Sequence, residues 1–137
     1  MNAVRFETPE KLETVAEALA SAEPEKGFFC SGDICVARDE DSRLVAHVPD
    51  AVSAFAFCAT ATLIVIDDAT ARHPCREGNA VIVNKREQAR QGSAEVHLSA
   101  GETRARTTHA IDEPYRPWHE HRQFSRAARG MPPYQRD

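Results

Sequence analysis

Apolar residues near the N-terminus recur first at helical spacing and then in short runs. A helix is expected to begin at Pro9, because the fixed backbone angle of proline suits a first helical turn. Its apolar residues follow the spacing of one helix face, and they are Leu12, Val15, Ala16 and Leu19. Three short runs of strand-forming residues come next, separated by polar turns at 31–33 and 39–42. This pattern predicts a helix followed by a three-stranded antiparallel meander.

The remainder of the chain alternates strand-like and helix-like segments. Pro49 and Asp50 introduce a short helix, with Asp50 as its N-cap. The β-branched run 62–66 is typical of a strand buried on both faces. The segments expected after it are strands at 80–83, 94–98 and 103–109 and a short helix at 85–91. We therefore predict one domain over residues 1–113, with a mixed α/β or α+β sheet and flanking helices.

Residues 114–137 are predicted to form a basic and aromatic tail. The tail alternates arginines with aromatic rings, a pattern that suits a phosphate backbone with stacked bases or a membrane headgroup layer. The candidate nucleic-acid contacts are Arg116, Trp118, Arg122, Arg126 and Arg129. The alternative is a structural strap, in which Trp118 docks on the domain and the arginines are solvated. We predict that Trp118 docks, because it can bury about 150–250 Å², and that residues 122–137 are loosely held.

Composition and charge place the chain among globular proteins. It has 137 residues, of which 42% are hydrophobic and 28% charged, enough for a single core. No apolar run reaches the roughly 18 residues of a membrane span, so the chain alone is expected to be soluble. Residues 1–84 carry 14 acidic and 7 basic side chains, whereas residues 85–137 carry 7 acidic and 10 basic ones. This asymmetry indicates a local basic patch rather than a nucleic-acid footprint over the whole surface.

Four cysteines allow three interpretations. Cys30 and Cys35 would face each other across the first hairpin, and Cys58 and Cys75 flank the buried strand. We predict two disulfides with these pairings, the first being the more secure. A structural zinc site formed by the four sulfurs is the second interpretation, although the Cys-x4-Cys spacing is only permissive. Four small buried side chains are the third.

Other residues could take part in chemistry but have plainer interpretations. Asp67 and Asp68 follow the buried strand, where carboxylates often serve active sites, but a solvated turn is favoured because no partner base is visible. His119 and His121 could ligate a metal only if they lay on a strand, and His73 could supply an extra ligand beside Cys75. We favour surface histidines, and the common hydrolase, phosphate-binding and dinucleotide-binding motifs are absent.

A series of short motifs lies in order between Phe28 and Trp118. They are Phe29-Cys30, Ile34-Cys35, Cys58 followed by Ala59 to Val65, Cys75, Val81 to Val83, Gln91 to Ala94, and Arg116-Pro117-Trp118. The series resembles the C-terminal end of the ComEC family of DNA-internalisation competence proteins, in the form found in alphaproteobacteria. It covers about two thirds of the chain.

The resemblance implies the non-catalytic C-terminal domain of a membrane channel protein for DNA uptake in natural transformation. The implied fold is part of a metallo-β-lactamase-like layered sheet, with a degenerate metal site because the His-x-His-x-Asp-His motif is missing. The implied partners are the channel portion of the same parent protein and single-stranded DNA, with the inner membrane nearby. The implied location is the periplasmic face of that membrane, where cysteines oxidise. No catalytic residue and no cofactor are expected, with structural zinc as the alternative.

Two further functions stay open. A small cytosolic zinc-binding or interaction domain would use Cys30, Cys35, Cys58 and Cys75 as metal ligands. A metal-dependent hydrolase would use Asp67, Asp68 and one histidine.

Overall fold

The computed structural model describes residues 9–22, 27–99, 101, 104–111 and 116–136, with side chains from residue 15 onward. It contains three α-helices, seven strands and one 3-10 helix within these residues. The elements are α1 (Pro9–Ser21), β1 (Phe29–Ser31), β2 (Ile34–Arg38), β3 (Leu44–Val48), α2 (Ala51–Phe55), β4 (Ala61–Ile66), β5 (Val81–Asn84), α3 (Lys85–Gln91), β6 (Ala94–His97), β7 (Arg106–His109) and the 3-10 helix Pro117–Phe124.

Five strands form a mixed sheet in the order β1-β2-β3-β4-β5. The first three are antiparallel, as expected for strands joined by tight turns, and β3-β4 and β4-β5 are parallel. Strands β6 and β7 form a separate antiparallel pair. The prediction of a mixed α+β fold, including its N-terminal helix and meander, is therefore confirmed.

Both faces of the five-stranded sheet are covered. Successive residues of a strand point to opposite faces, so Ile64 and Ile66 join a core with α1 and α2, while Leu63 belongs to a second core. In that second core the sheet packs against Ala94 and Val96 of β6. The molecule is thus layered as helices, sheet and two-stranded ribbon.

Helix α2 makes the connection between the parallel strands β3 and β4. The Asp50 side chain accepts a hydrogen bond of 2.7 Å from the Ser53 amide, so Asp50 is the N-cap that the sequence predicts. After the helix, Phe57 is fully buried in the core. This short connection directs the chain into β4, which lies between β3 and β5.

The connection from β4 to β5 has no helix. We call residues 67–80 the crossover segment. Parallel strands are commonly joined by a helix that packs on the sheet, and here a disulfide between Cys58 and Cys75 links the segment to the residues after α2. At Gly78, whose φ is +105°, an added Cβ would lie 2.9 Å from the Cys58 carbonyl oxygen. The crossover segment is therefore held against the domain at two neighbouring points.

A second disulfide joins the first hairpin. Cys30 and Cys35 are direct partners in the β1-β2 register, with Cα atoms 4.0 Å apart. Gly32, with φ of +59°, occupies the turn between them, in a conformation that glycine adopts without strain. Both predicted cysteine pairings are present in the structure.

Arg43 connects the sheet to the β6-β7 layer. Its guanidinium donates to the carbonyl oxygens of Ser99 at 2.7 Å and Leu98 at 2.9 Å. Its Nε and its backbone amide both donate to Asp39, at 2.6 and 2.8 Å. Burial acts to raise the pKa of Asp39, but the hydrogen bonds from Arg43 outweigh it and hold that pKa below its ordinary value.

The C-terminal segment, residues 116–136, differs from the prediction in where it docks. Trp118 is 60% exposed, so the predicted docking of its ring is not what the structure shows. Ala128 is instead 3% exposed, and its carbonyl oxygen accepts a hydrogen bond from Arg86 at 3.4 Å. The expectation that residues 122–137 are loosely held was therefore wrong for the turn around Ala128. A small side chain permits the close backbone approach that a tryptophan would prevent.

Some predicted boundaries shift. The predicted tail contains the 3-10 helix Pro117–Phe124. The strand predicted at 94–98 ends at His97, and the one predicted at 103–109 begins at Arg106. The proposed boundary between residues 113 and 114 lies outside the described residues.

Removing each disulfide is expected to have a different cost. Replacing Cys58 and Cys75 by alanine should lower the free energy of unfolding by about 3 kcal/mol, and replacing Cys30 and Cys35 by about 2 kcal/mol. The reason is loop length, because the pairs are 17 and 5 residues apart. Denaturant unfolding without reductant measures both. A larger loss from the hairpin pair would contradict the loop-entropy argument.

The Asp39→Asn variant should be less stable by about 1–2 kcal/mol at neutral pH, because hydrogen bonds to a charged group are lost. The folded-state pKa of Asp39 is lowered from 3.8, so its contribution is present above about pH 4 and disappears as the pH falls through the lower value. Unfolding curves at several pH values should show wild type and variant converging in acid. Asp41→Asn is the control, because its 3.4 Å contact with Arg43 is exposed and should contribute little. A stability difference between wild type and Asp39→Asn that does not change with pH would contradict this account.

Candidate nucleic-acid interface

The C-terminal segment exposes its large aromatic rings. Arg116 precedes the 3-10 helix with extended backbone angles, and Pro117 occupies the first turn. The Arg116 guanidinium carbon lies 5.2 Å from the Trp118 ring centroid, within cation–π range. Phe124 is 69% and Tyr134 76% exposed. The segment therefore presents three rings to solvent, one of them already paired with a cation.

The same segment is strongly basic. Residues 116–136 contain five arginines and one acidic residue, Glu120, a net charge of +4 with neutral histidines. Within the described residues, the guanidinium groups of Arg122 and Arg129 have no hydrogen-bond or ion-pair partner. Arg126 is different, because its Nε donates to the Pro132 carbonyl at 2.9 Å and closes the final turn. Arg126 therefore has a structural role, whereas Arg122 and Arg129 are available to contact a ligand.

Helix α3 extends this basic surface. It packs against the 3-10 helix and contributes the exposed residues Arg86 and Arg90. The Asn84 side chain caps α3 by accepting from the Glu87 amide at 2.9 Å. Motif reasoning missed these two arginines because they lie about 30 residues before the tail in the sequence. The excess of basic over acidic residues from Lys85 onward is the sequence feature that could have identified them.

The acidic candidates at the end of β4 are engaged locally. Asp67 forms a 3.2 Å ion pair with Lys85. One carboxylate oxygen of Asp68 accepts from both the amide and the hydroxyl of Thr70, at 2.8 and 2.7 Å. These contacts place both carboxylates in a polar turn after β4.

The histidine and cysteine candidates do not converge on a metal site. His119 and His121 lie on the 3-10 helix, not on the strand that would align them. His73 lies in the crossover segment, near Cys75. All four cysteines are in disulfides, whose sulfurs are not thiolate ligands. Among the described residues, no group of three or more His, Cys, Asp or Glu side chains is placed to hold a metal ion.

Comparisons with known proteins give no relative on which to base a function. No protein-family model, curated protein or solved structure matches this chain. Among the described residues, no helix is both long and apolar enough to cross a bilayer. The two disulfides are typical of proteins that fold in an oxidising compartment.

Replacing Asp67 and Asp68 together by asparagine should change the free energy of unfolding by less than about 1 kcal/mol. The exposed ion pair contributes little, and an asparagine oxygen can still accept from Thr70. Denaturant titration measures the change. Loss of a bound metal ion in the double variant, detected by elemental analysis, would show that these carboxylates form a metal site.

Proposed function

We propose that the chain is a non-catalytic binding domain that contacts single-stranded DNA through its C-terminal segment. The observation that carries the proposal is the exposed Arg116–Trp118 pair on a basic segment that also exposes Phe124 and Tyr134. A role as a structural strap would place the tryptophan ring against the domain. In this structure Ala128 and Gly130 make the close contacts with the domain instead, and the aromatic rings remain exposed to solvent.

Stacking supplies the first part of the recognition. Every base has a flat aromatic face, so exposed rings bind single strands with little sequence preference, at about 1–3 kcal/mol per stacked base. Duplex DNA hides those faces within its own stack. The exposed rings therefore favour a single strand over a duplex.

Charge supplies the second part. The arginines at 116, 122 and 129 lie on the same segment as the rings, and Arg86 and Arg90 of α3 flank it. Arginine can donate two parallel hydrogen bonds to a phosphate. The whole chain is acidic at −4, so binding should be confined to this one surface.

The wider biological role rests on the resemblance to ComEC proteins. In this proposal the domain belongs to a DNA-uptake channel protein and faces the periplasm beside the inner membrane, with its channel portion and incoming single-stranded DNA as partners. The disulfides support the oxidising compartment. The locally engaged Asp67 and Asp68 support a binding role over the metal-dependent hydrolase. The zinc-binding alternative is less favoured because its four candidate ligands are oxidised in pairs.

Trp118 provides its own probe because it is the single tryptophan in the chain. Adding a single-stranded oligothymidylate should quench its fluorescence. Binding measured by anisotropy of a labelled oligonucleotide should weaken by about 5- to 150-fold in Trp118→Ala, the loss of one stacked base. Arg122→Gln should reduce the slope of log K against log salt by about 0.7, the value for one phosphate contact on a single strand.

Phe28→Ala is the matched control. Phe28 is 63% exposed and lies next to β1, at the opposite edge of the sheet from β5. It should bind the oligonucleotide as wild type does. Equal losses in both aromatic variants, or no binding by the intact chain, would refute the proposal. Binding to anionic lipid vesicles without binding to DNA would replace it with a membrane-surface role.

A further inference from the structure

A groove of about 530 Å³ lies at the ends of β4 and β5, beside the C-terminal segment. Its walls come from three separate parts of the chain. The crossover segment contributes Arg72 and His73, α3 contributes Arg86, and the C-terminal segment contributes Arg129. Its volume is within the range of small-molecule sites, and such sites often lie at the carboxyl ends of parallel strands.

Cations dominate this groove, which we call the arginine groove. Three arginines line it against one acidic side chain, Glu87, a charge of +2 with His73 neutral. None of the three guanidinium groups forms an ion pair within the described part of the chain. Only Arg86 has a hydrogen bond there, at 3.4 Å to the Ala128 carbonyl. Like charges gathered without counter-ions repel each other, and a bound anion would relieve that repulsion.

Three contacts hold the backbone segments that carry these arginines. The Cys58–Cys75 disulfide holds the crossover segment three residues beyond Arg72. Asn84 donates to the Ala71 carbonyl at 3.4 Å while capping α3, so it links two of the three walls. At Gly130, whose φ is +69°, an added Cβ would lie 3.4 Å from the Ala69 carbonyl oxygen and 3.5 Å from Arg86. The backbone walls of the groove are therefore held together without a ligand, which lowers the cost of binding.

We propose that the arginine groove binds a phosphomonoester, either a free nucleotide or the terminal phosphate of a DNA strand. A phosphomonoester carries nearly two negative charges and three acceptor oxygens. It therefore matches a groove lined by three arginines better than a carboxylate or an internal phosphodiester does, since each of those carries one charge. The nature of the carrier rests on the proposed function, whereas binding of the phosphate group does not.

Inorganic phosphate is the first probe, titrated calorimetrically into the full chain. Arg72→Gln and Arg129→Gln should each weaken phosphate binding by roughly tenfold, the loss of a charge-assisted contact. Arg76→Gln is the matched control, because Arg76 lies in the same crossover segment but does not line the groove. It removes the same charge and should leave the affinity within about twofold. Unchanged thermal midpoints verify that the variants are folded.

Two further titrations distinguish the carriers. A nucleoside 5′-monophosphate is compared with its nucleoside, and an oligothymidylate with a 5′-phosphate is compared with one ending in a hydroxyl. Tighter binding of either phosphorylated form, lost in Arg72→Gln, supports the groove and identifies the carrier. No phosphate binding, or equal weakening in Arg72→Gln and Arg76→Gln, overturns it.

The groove and the proposed function can fail separately. If the chain binds phosphate through Arg72 but does not bind oligonucleotides, the groove proposal is retained and the DNA-binding proposal fails. If the chain binds oligonucleotides through Trp118 but does not bind inorganic phosphate, the interface is retained and the groove is removed.

Discussion

The Cys58–Cys75 disulfide is the constraint on which the candidate surfaces depend. Parallel strands β4 and β5 require a long connection, and the crossover segment supplies one without a helix to pack it against the sheet. The disulfide and the close approach of Gly78 to the Cys58 carbonyl take the place of helix packing. Because the segment is held there, Arg72 and His73 have defined positions at the edge where β4 and β5 end.

The polar residues at that edge explain why positive charge dominates there. Asp50 caps α2, Asp68 closes a turn with Thr70, and Asn84 caps α3, so each meets backbone donors close to it in sequence. Asp67 is paired with Lys85. These acceptors are thus engaged in local structure, whereas Arg72, Arg86 and Arg129 form no ion pair within the described part of the chain. This difference between the locally bonded acids and these arginines supports the proposed anion site.

Much of the fold could be predicted because its signals are local. The Asp50 cap, the β-branched strand β4, the helix after Asn84 and the Cys30–Cys35 pair each depend on a few consecutive residues. The positions of Arg43, Ala128 and Trp118 depend on contacts between distant segments, such as the hydrogen bonds from Arg43 to Leu98 and Ser99. The size of the Trp118 side chain led to the prediction that it would dock. In the structure the chain approaches the domain closely at Gly130, and the small residue Ala128 is buried there instead. No spacing rule contains that information.

The way the C-terminal segment is anchored has a consequence for ligand binding. A segment held by a docked tryptophan would lose its best stacking surface to its own core. Anchoring through Ala128 and Gly130 leaves Trp118, Phe124 and Tyr134 exposed while the turn that carries Arg129 is fixed beside Arg86. The exposed rings then lie on the same segment as Arg129, which lines the arginine groove together with Arg72 and Arg86. In the proposed function a single strand would place its bases on the rings, and the proposed anion site would take a terminal phosphate.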